Sequence, residues 1–297
     1  MIDLKISVGI TLYTNSAYVM DSINSLISQS ENSWEGILIL DKGADKNTTS
    51  IFNKFSHPNF IKYECKKHKG PEQARAKAIE LSNTEWYFQL DSDDILPTDA
   101  IINILQVIKK NPKAEFICGS TLHFSNESSL KVPPSNDAEQ LAISPLFSAI
   151  MPIKISMYHK IGGYSKDLTY IADWDFWLSV YENNILGAST NKILYKRRKH
   201  NNNVGIRDII KWPEMVKKII DRHPIYFNSK KRKNKALYNV YEKSARYYRE
   251  KKDRSKAAFY SKKAIKIGSG TTTLLEILKE EKMSNIRYFL RLLGRSI

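Results

Sequence analysis

The sequence predicts an α/β protein, a doubly wound and mainly parallel sheet followed by a C-terminal helical extension. Three observations predict it. Strand-like and helix-like segments alternate over the first ninety residues, the pattern of β-α-β crossovers and hence of parallel strands. At least one strand, Gly36–Leu40, is a continuous apolar run of the kind buried on both faces. From about Arg207 the chain turns to helical segments rich in Lys, Arg and Tyr. The expected domains are therefore 1–205 for the sheet and 206–297 for a basic α-helical region. A chain of 297 residues, 42% hydrophobic, can bury one large α/β core plus an appendage and does not read as disordered.

The elements follow in order. Ile6, Val8, Ile10 and Leu12 alternate with Ser7, Gly9 and Thr11, which makes a strand. Thr14-Asn15-Ser16 offers capping chemistry to a helix on which Met20, Ile23, Leu26 and Ile27 recur at helical spacing. The run Gly36–Leu40 ends in Asp41-Lys42-Gly43. A helix over Thr48–Phe55 and a strand over Phe60–Cys65 come next. Gly70-Pro71 opens a helix, with Pro71 suited to its first turn. Trp86–Leu90 is the fourth strand, Thr98–Lys110 a helix, Glu115–Gly119 strand-like, Pro133-Pro134 a loop and Gly162-Gly163 a turn. Asp173-Trp174-Asp175-Phe176-Trp177-Leu178 begins a helix whose first-turn acids favour the dipole. Tyr238–Lys266 reads as a helical hairpin with Ala245, Ala257, Ala258 and Ala264 available for close packing. Gly268-Ser269-Gly270 is a break. The apolar and basic tail Ile286–Leu293 suits either a membrane interface or docking on the protein itself.

The most informative stretch is Trp86-Tyr87-Phe88-Gln89-Leu90-Asp91-Ser92-Asp93-Asp94. An apolar strand ends in three carboxylates within four residues. Such charges raise one another's pKa unless a positive group neutralises them. A hard divalent cation, Mn²⁺ or Mg²⁺, does so and keeps positions open for phosphate. The alternative is an acidic turn in which Asp94 or Ser92 caps the next helix. In a doubly wound sheet ligands bind beyond the carboxyl ends of the strands, and Tyr13, Asp41 and Asp91 all fall at such ends.

Composition sets further bounds. A net charge of +16 predicts attraction to polyanions, whether nucleic acid, anionic lipid or phosphorylated substrate. Cys65 and Cys118 match no zinc or redox spacing and read as reduced core thiols. No run approaches the length of a membrane span, and Met1-Ile2-Asp3-Leu4-Lys5 enters a strand without a leader-like layout. A cytoplasmic location is expected, with peripheral association at the inner face of the cell membrane as a further expectation.

Four segments, Ile6–Asn15, Leu38–Thr48, Gly70–Asp94 and Gly162–Trp177, stand in an order that resembles the inverting family 2 glycosyltransferases of the GT-A fold, of the bacterial surface-polysaccharide type. The likeness covers about the first 200 residues. Its most specific parts are Ala74-Arg75 followed by the acidic run, and Gly162-Gly163-Tyr164 followed by Asp173-Trp174-Asp175-Phe176-Trp177. The resemblance implies transfer of a sugar from a nucleotide-diphosphate sugar, UDP-linked by preference, to a saccharide or lipid-linked saccharide hydroxyl, with Mn²⁺ or Mg²⁺ as cofactor. It places Thr11, Tyr13, Asp41, Arg75, Asp91 and Ser92 around the donor, and Asp93 with His200 at the metal and diphosphate. Asp173 becomes the catalytic base, while Asp94, Trp174 and Asp175 are secondary or acceptor-side groups. Lys42 stands where the family has an acid, and Ala172 where it has Glu. Loss of that neighbouring carboxylate predicts a lower pKa for Asp173 than in relatives.

Three rival readings are weaker. A nucleotidyl enzyme would want a glycine-rich phosphate loop, and Thr11–Ser16 contains no glycine. A basic nucleic-acid-binding protein would carry a recognisable motif, and none is found, so no nucleic-acid partner is expected. A catalytically silent family member acting as a scaffold is the remaining alternative, motivated by Lys42 and Ala172.

Overall fold

The structure, a computed structural model, describes residues 4–14, 16–68, 70–125, 128–132, 138–145, 150–168, 171–200 and 210–268. Asn15, the Pro133-Pro134 pair, Ser269-Gly270 and the tail Ile286–Leu293 lie outside the described residues. Two compact units result, Met1–Asp137 with Pro145–Asn203, and Ala138–Ser144 with Val204–Ile297.

The first unit is built on β1 (Ile6–Leu12), α1 (Ser16–Ile27), β2 (Trp34–Leu40), α2 (Lys46–Lys54), β3 (Phe60–Glu64), α3 (Pro71–Glu80), β4 (Trp86–Asp91), α4 (Ala100–Lys110), β5 (Phe116–Phe124), β6 (Ser129–Lys131), β7 (Ile153–Lys154), α5 (Ile155–Lys160), α6 (Ala172–Glu182) and β8 (Gly187–Arg198). The strands form one sheet in the order β3-β2-β1-β4-β7-β5-β6, with β8 also paired to β5. β3, β2, β1 and β4 are mutually parallel. The two-residue β7 runs antiparallel between β4 and β5 and makes the sheet mixed. The core lies on the inner strands. Ile6, Val8, Ile10, Leu12, Leu38, Phe88 and Leu90 are fully buried, as the continuous apolar runs of a parallel sheet require.

Two details position the site. A Cβ on Gly9 would collide with the ring of Tyr87, so glycine there lets Tyr87 cross over β1. α2 begins two residues earlier than Thr48, because Asp45 caps it. Its Oδ1 accepts from the Thr48 N–H (2.8 Å) and its Oδ2 from the Thr48 hydroxyl (2.7 Å). Cys118 is buried in β5, but Cys65 is only half-buried just past β3, so one of the two expected core thiols is at the margin.

The second unit contains α7 (Trp212–Arg222), a 3-10 turn at Tyr226–Asn228, α8 (Lys230–Glu250) and α9 (Arg254–Ile267). Ser229 caps α8 and Asp253 caps α9, each accepting from a backbone N–H three residues on. Residues 138–144 belong here, although the sequence places them inside the sheet domain. Three donors on α8 hold them: Arg232 Nε on Glu139 Oε1, Lys235 Nζ on the Glu139 carbonyl and Asn239 Nδ2 on the Ile143 carbonyl, each at 2.9 Å.

Candidate active site

The carboxyl ends of β1, β2 and β4 form one edge of the sheet, and register places Thr11 directly opposite Asp91. Along β4, Tyr87, Gln89 and Asp91 share a face, since alternate residues point the same way. The Tyr87 hydroxyl donates to Gln89 Oε1 (2.5 Å), which turns the Gln89 amide nitrogen toward Asp91 Oδ1 (3.3 Å). From α3, Arg75 Nη2 donates to the same Asp91 Oδ1 at 2.8 Å. Burial alone would raise the pKa of Asp91, but the Arg75 charge and these hydrogen bonds outweigh it and hold the carboxyl below its ordinary value. Burial likewise works against the Arg75 charge, and Asp91 more than restores it. Arg75 Nε is buried with no hydrogen-bond partner, an expensive state for a donor.

The next carboxylates behave differently. Asp93 Oδ2 lies 2.8 Å from His200 Nε2, and both side chains are largely buried, at 14% and 13% exposure. Desolvation, followed by the charge of Asp91, raises Asp93 above the ordinary carboxylate range, against the pull of His200. The Tyr18 ring tilts over His200 and is itself covered by Arg198, whose Nε donates to the Asp93 carbonyl (3.0 Å). Ser92 is buried between the two acids at 6% exposure.

Asp94 does not cap the next helix, which begins at Ala100. It is 3% exposed and takes hydrogen bonds from the Arg198 N–H (2.7 Å) and the Tyr195 hydroxyl (2.8 Å), clamping the acidic turn to β8. Burial, then Asp91 and Asp93, push it up to about 8. The same Tyr195 oxygen accepts from the Asp91 N–H (3.0 Å), so one hydroxyl sets the geometry of both ends of the turn.

Asp173 sits half-buried in the first turn of α6, its Oδ1 accepting from the Trp174 N–H at 2.9 Å. Its carboxyl is pushed up to about 6, mainly by burial. Arg75 opposes that rise, while Glu72 on α3 adds to it. Ala172 removes one carboxylate from beside Asp173, yet desolvation dominates and Glu72 supplies a like charge from another helix, so the carboxyl still lies above its ordinary value. Asp175 and Trp174, read from the sequence as secondary or acceptor-side groups, are buried at 2% and 5% exposure. Asp175 lies about 200° around the helix from Asp173. Trp177 packs on Phe116 and Phe176 in the core. The Gly162-Gly163 turn lies between Tyr158 and Tyr164, both of which pack on Phe176 of α6. Gly163 has φ 66°, and a Cβ there would strike Tyr158, which packs with Tyr164 and Phe176.

At the far end of the edge, Asp41 is 6% exposed and bonded to His68 Nδ1 (2.8 Å), and the His68 ring stacks on Tyr13 with centroids 5.1 Å apart. Sequence reasoning found Asp41 and Tyr13 but missed His68, Gln89, Tyr195 and Arg198. His68, Tyr195 and Arg198 lie far in sequence from the carboxylates they bond, whereas Gln89 stands within the acidic stretch itself, two residues before Asp91. Among the described residues, no three His, Cys, Asp or Glu side chains form a metal-holding cluster. Asp93 and His200 are a pair of donors, not a closed site.

The model of glycosyl transferase family 2 matches residues 7–166, and the chain belongs to that family. It has the GT-A fold of glycosyltransferases. It is similar to S. aureus TarS 1–349, solved in complex with UDP-GlcNAc (TM-score 0.64, 15% identity, 89% of this chain and 81% of that one). It is also similar to the mannosyltransferase PcManGT from Pyrobaculum calidifontis, solved with GDP-Man and Mn²⁺ (TM-score 0.62, 12% identity, 98% and 83%). In sequence it is 24% identical over 245 residues to Escherichia coli chondroitin synthase, covering 80% of this chain but 35% of that enzyme's length.

Proposed function

We propose that this protein is a metal-dependent, inverting glycosyltransferase that moves a sugar from a nucleotide-diphosphate sugar to a saccharide or lipid-linked saccharide hydroxyl in bacterial surface-polysaccharide assembly. One observation carries the reading: a single arginine, Arg75, holds Asp91 ionised beside the Asp93–His200 pair and lies within the field of Asp173. Kinship with a chondroitin synthase, and likeness to structures bearing UDP-GlcNAc and GDP-Man, support a nucleotide-sugar donor.

The donor set fits a hard cation. Asp93 and His200 would hold Mn²⁺ or Mg²⁺ through two protein ligands, leaving other positions to diphosphate and water, as Mg²⁺ prefers. Bound there, the cation would act as a Lewis acid on the departing diphosphate. The protein's own residues do the rest. Asp91, fixed by Arg75 and Gln89, accepts hydrogen bonds from the donor. Tyr13 and Asp41 face the base. Asp173 takes the proton from the attacking hydroxyl, a role that a carboxyl at about 6 fills near neutral pH, where it is ionised yet more basic than an ordinary aspartate. Attack opposite the leaving group inverts the anomeric carbon, with no covalent sugar–enzyme intermediate.

Donor hydrolysis and melting temperature, measured with UDP- and GDP-sugars with and without Mn²⁺, test this reading. Mn²⁺-dependent stabilisation by one donor class is expected, because a ligand raises the melting temperature only if it binds the folded state. Absence of both stabilisation and hydrolysis with every donor would favour a silent scaffold.

A further inference from the structure

We infer that the α8–α9 hairpin of the second unit is a docking surface for an anionic lipid bilayer, an inference independent of the donor chemistry above. Residues 230–267 hold fifteen Lys or Arg against three acids, most of the excess behind the chain's net charge of +16. The placement is unfavourable for the helices alone. Lys230, Lys231, Arg232 and Lys233 fill the first turn of α8, where the macrodipole disfavours cations, and α9 contains five cations and no acid. Like charges at this density repel, so a negative partner lowers the energy of the hairpin.

The geometry gives the patch a direction. On α9, Ala257, Ser261 and Ala264 form the buried stripe. The opposite face carries Phe259, Lys262 and Lys266, flanked by Lys256 and Lys263. Lys256 lies over the Tyr248 ring and Lys263 over Tyr241, so α9 runs antiparallel along α8. That pairing carries Lys262, Lys263 and Lys266 toward the end of the hairpin that bears Lys230, Lys231 and Lys233. Tyr248 and Tyr260 stack between the helices with planes 4° apart, holding the cations on a stiff frame.

Two features favour lipid over nucleic acid. Phe259 is 51% exposed at the centre of the basic face, with Lys263 Nζ 4.3 Å from its ring centroid. An aromatic ring among lysines suits an interface where the ring enters the acyl boundary and the ammonium groups stay among headgroups. Two of the hairpin's tyrosines, Tyr241 and Tyr248, are buried and offer no face for stacking bases, and none of its described tyrosines is as exposed as Phe259.

Flotation of the full chain with vesicles tests the assignment. Phosphatidylcholine vesicles should not retain the protein, whereas vesicles containing phosphatidylglycerol should retain it at low salt and release it at high salt. Replacing Lys262, Lys263 and Lys266 together by Glu should weaken retention by ~100-fold or more, since each cation near an anionic leaflet contributes about fivefold. Phe259→Ser should weaken it in a salt-independent way. Phe259→Ser and a double Lys262→Glu, Lys266→Glu variant, whose side chains are exposed, should keep the melting transition of the parent, and the double variant should still weaken retention by ~25-fold or more. Retention unchanged in the triple variant, retention on phosphatidylcholine alone, or tighter binding to an unstructured RNA than to the anionic vesicles would overturn the inference. None of these results touches the donor-binding assays of the catalytic reading.

Discussion

Asp91 and Asp173 lie within the field of the same arginine, yet their carboxyl groups shift in opposite directions. Asp91, at the end of β4, receives direct hydrogen bonds from Arg75 and Gln89 and is held below the ordinary range. Asp173, at the start of α6, gains from Arg75 only at a distance, receives one bond from its neighbour's N–H, and is pushed up to about 6 by burial. Both sites are desolvated, so desolvation does not distinguish them. The direct ion pair does, and it divides two aspartates into a fixed acceptor and a group able to take a proton.

Breaking the α6 side should have the largest effect. Asp173→Asn should lower turnover by about 10²–10⁴-fold, the range of a lost general base, while donor-induced thermal stabilisation stays near the parent's. Turnover close to the parent's would remove the base assignment. Breaking the β4 side should act on stability as well. Arg75→Ala leaves Asp91 in a largely buried place without its cation and should cost about 3 kcal/mol, read by denaturant unfolding at neutral pH. An unchanged midpoint would mean that Asp91 is solvated in solution.

The pH dependence sharpens the contrast. Initial rates should rise as pH climbs through about 6, where Asp173 ionises. Its effect on stability has the opposite sign. A carboxyl whose folded value lies above its unfolded value binds more protons in the folded state, so stability falls with rising pH between the ordinary aspartate value and about 6. Asp173→Asn should therefore raise the melting temperature at pH 7.5 and leave it unchanged at pH 4. A gain of equal size at both values would show that the side chain is not desolvated. Least in size is Tyr195→Phe. It removes the hydroxyl that joins the Asp91 N–H to Asp94 and should cost about 1–2 kcal/mol, the scale of a buried hydrogen bond.

Much of the sheet was legible because its signal is local. The alternation in Ile6–Leu12 and the apolar run before Asp41 declare strands within a few residues, and the abrupt change from Leu90 to Asp91 declares a strand end. What the three carboxylates do separately was not legible, because their partners come from elsewhere: Arg75 from α3, His200 from beyond β8, Tyr195 and Arg198 from β8 itself. Asp94 looked like its neighbours in sequence and differs only because β8 lies against it. The same holds for Asp173. Ala172 was visible, but Glu72, a hundred residues away, was not, and neither was the depth of burial that sets the sign of the shift. Residues 138–144 joined the helical unit for an equally remote reason, three donors on α8.

The central claim is that the acidic turn grips a cation that in turn grips the donor. Calorimetric titration of Mn²⁺ into the protein with saturating UDP, for the parent and for Asp93→Ala, tests it most directly. The account predicts a one-to-one heat in the parent that disappears in the variant while Asp173→Asn retains it. Equal Mn²⁺ affinity in the parent and Asp93→Ala would contradict it.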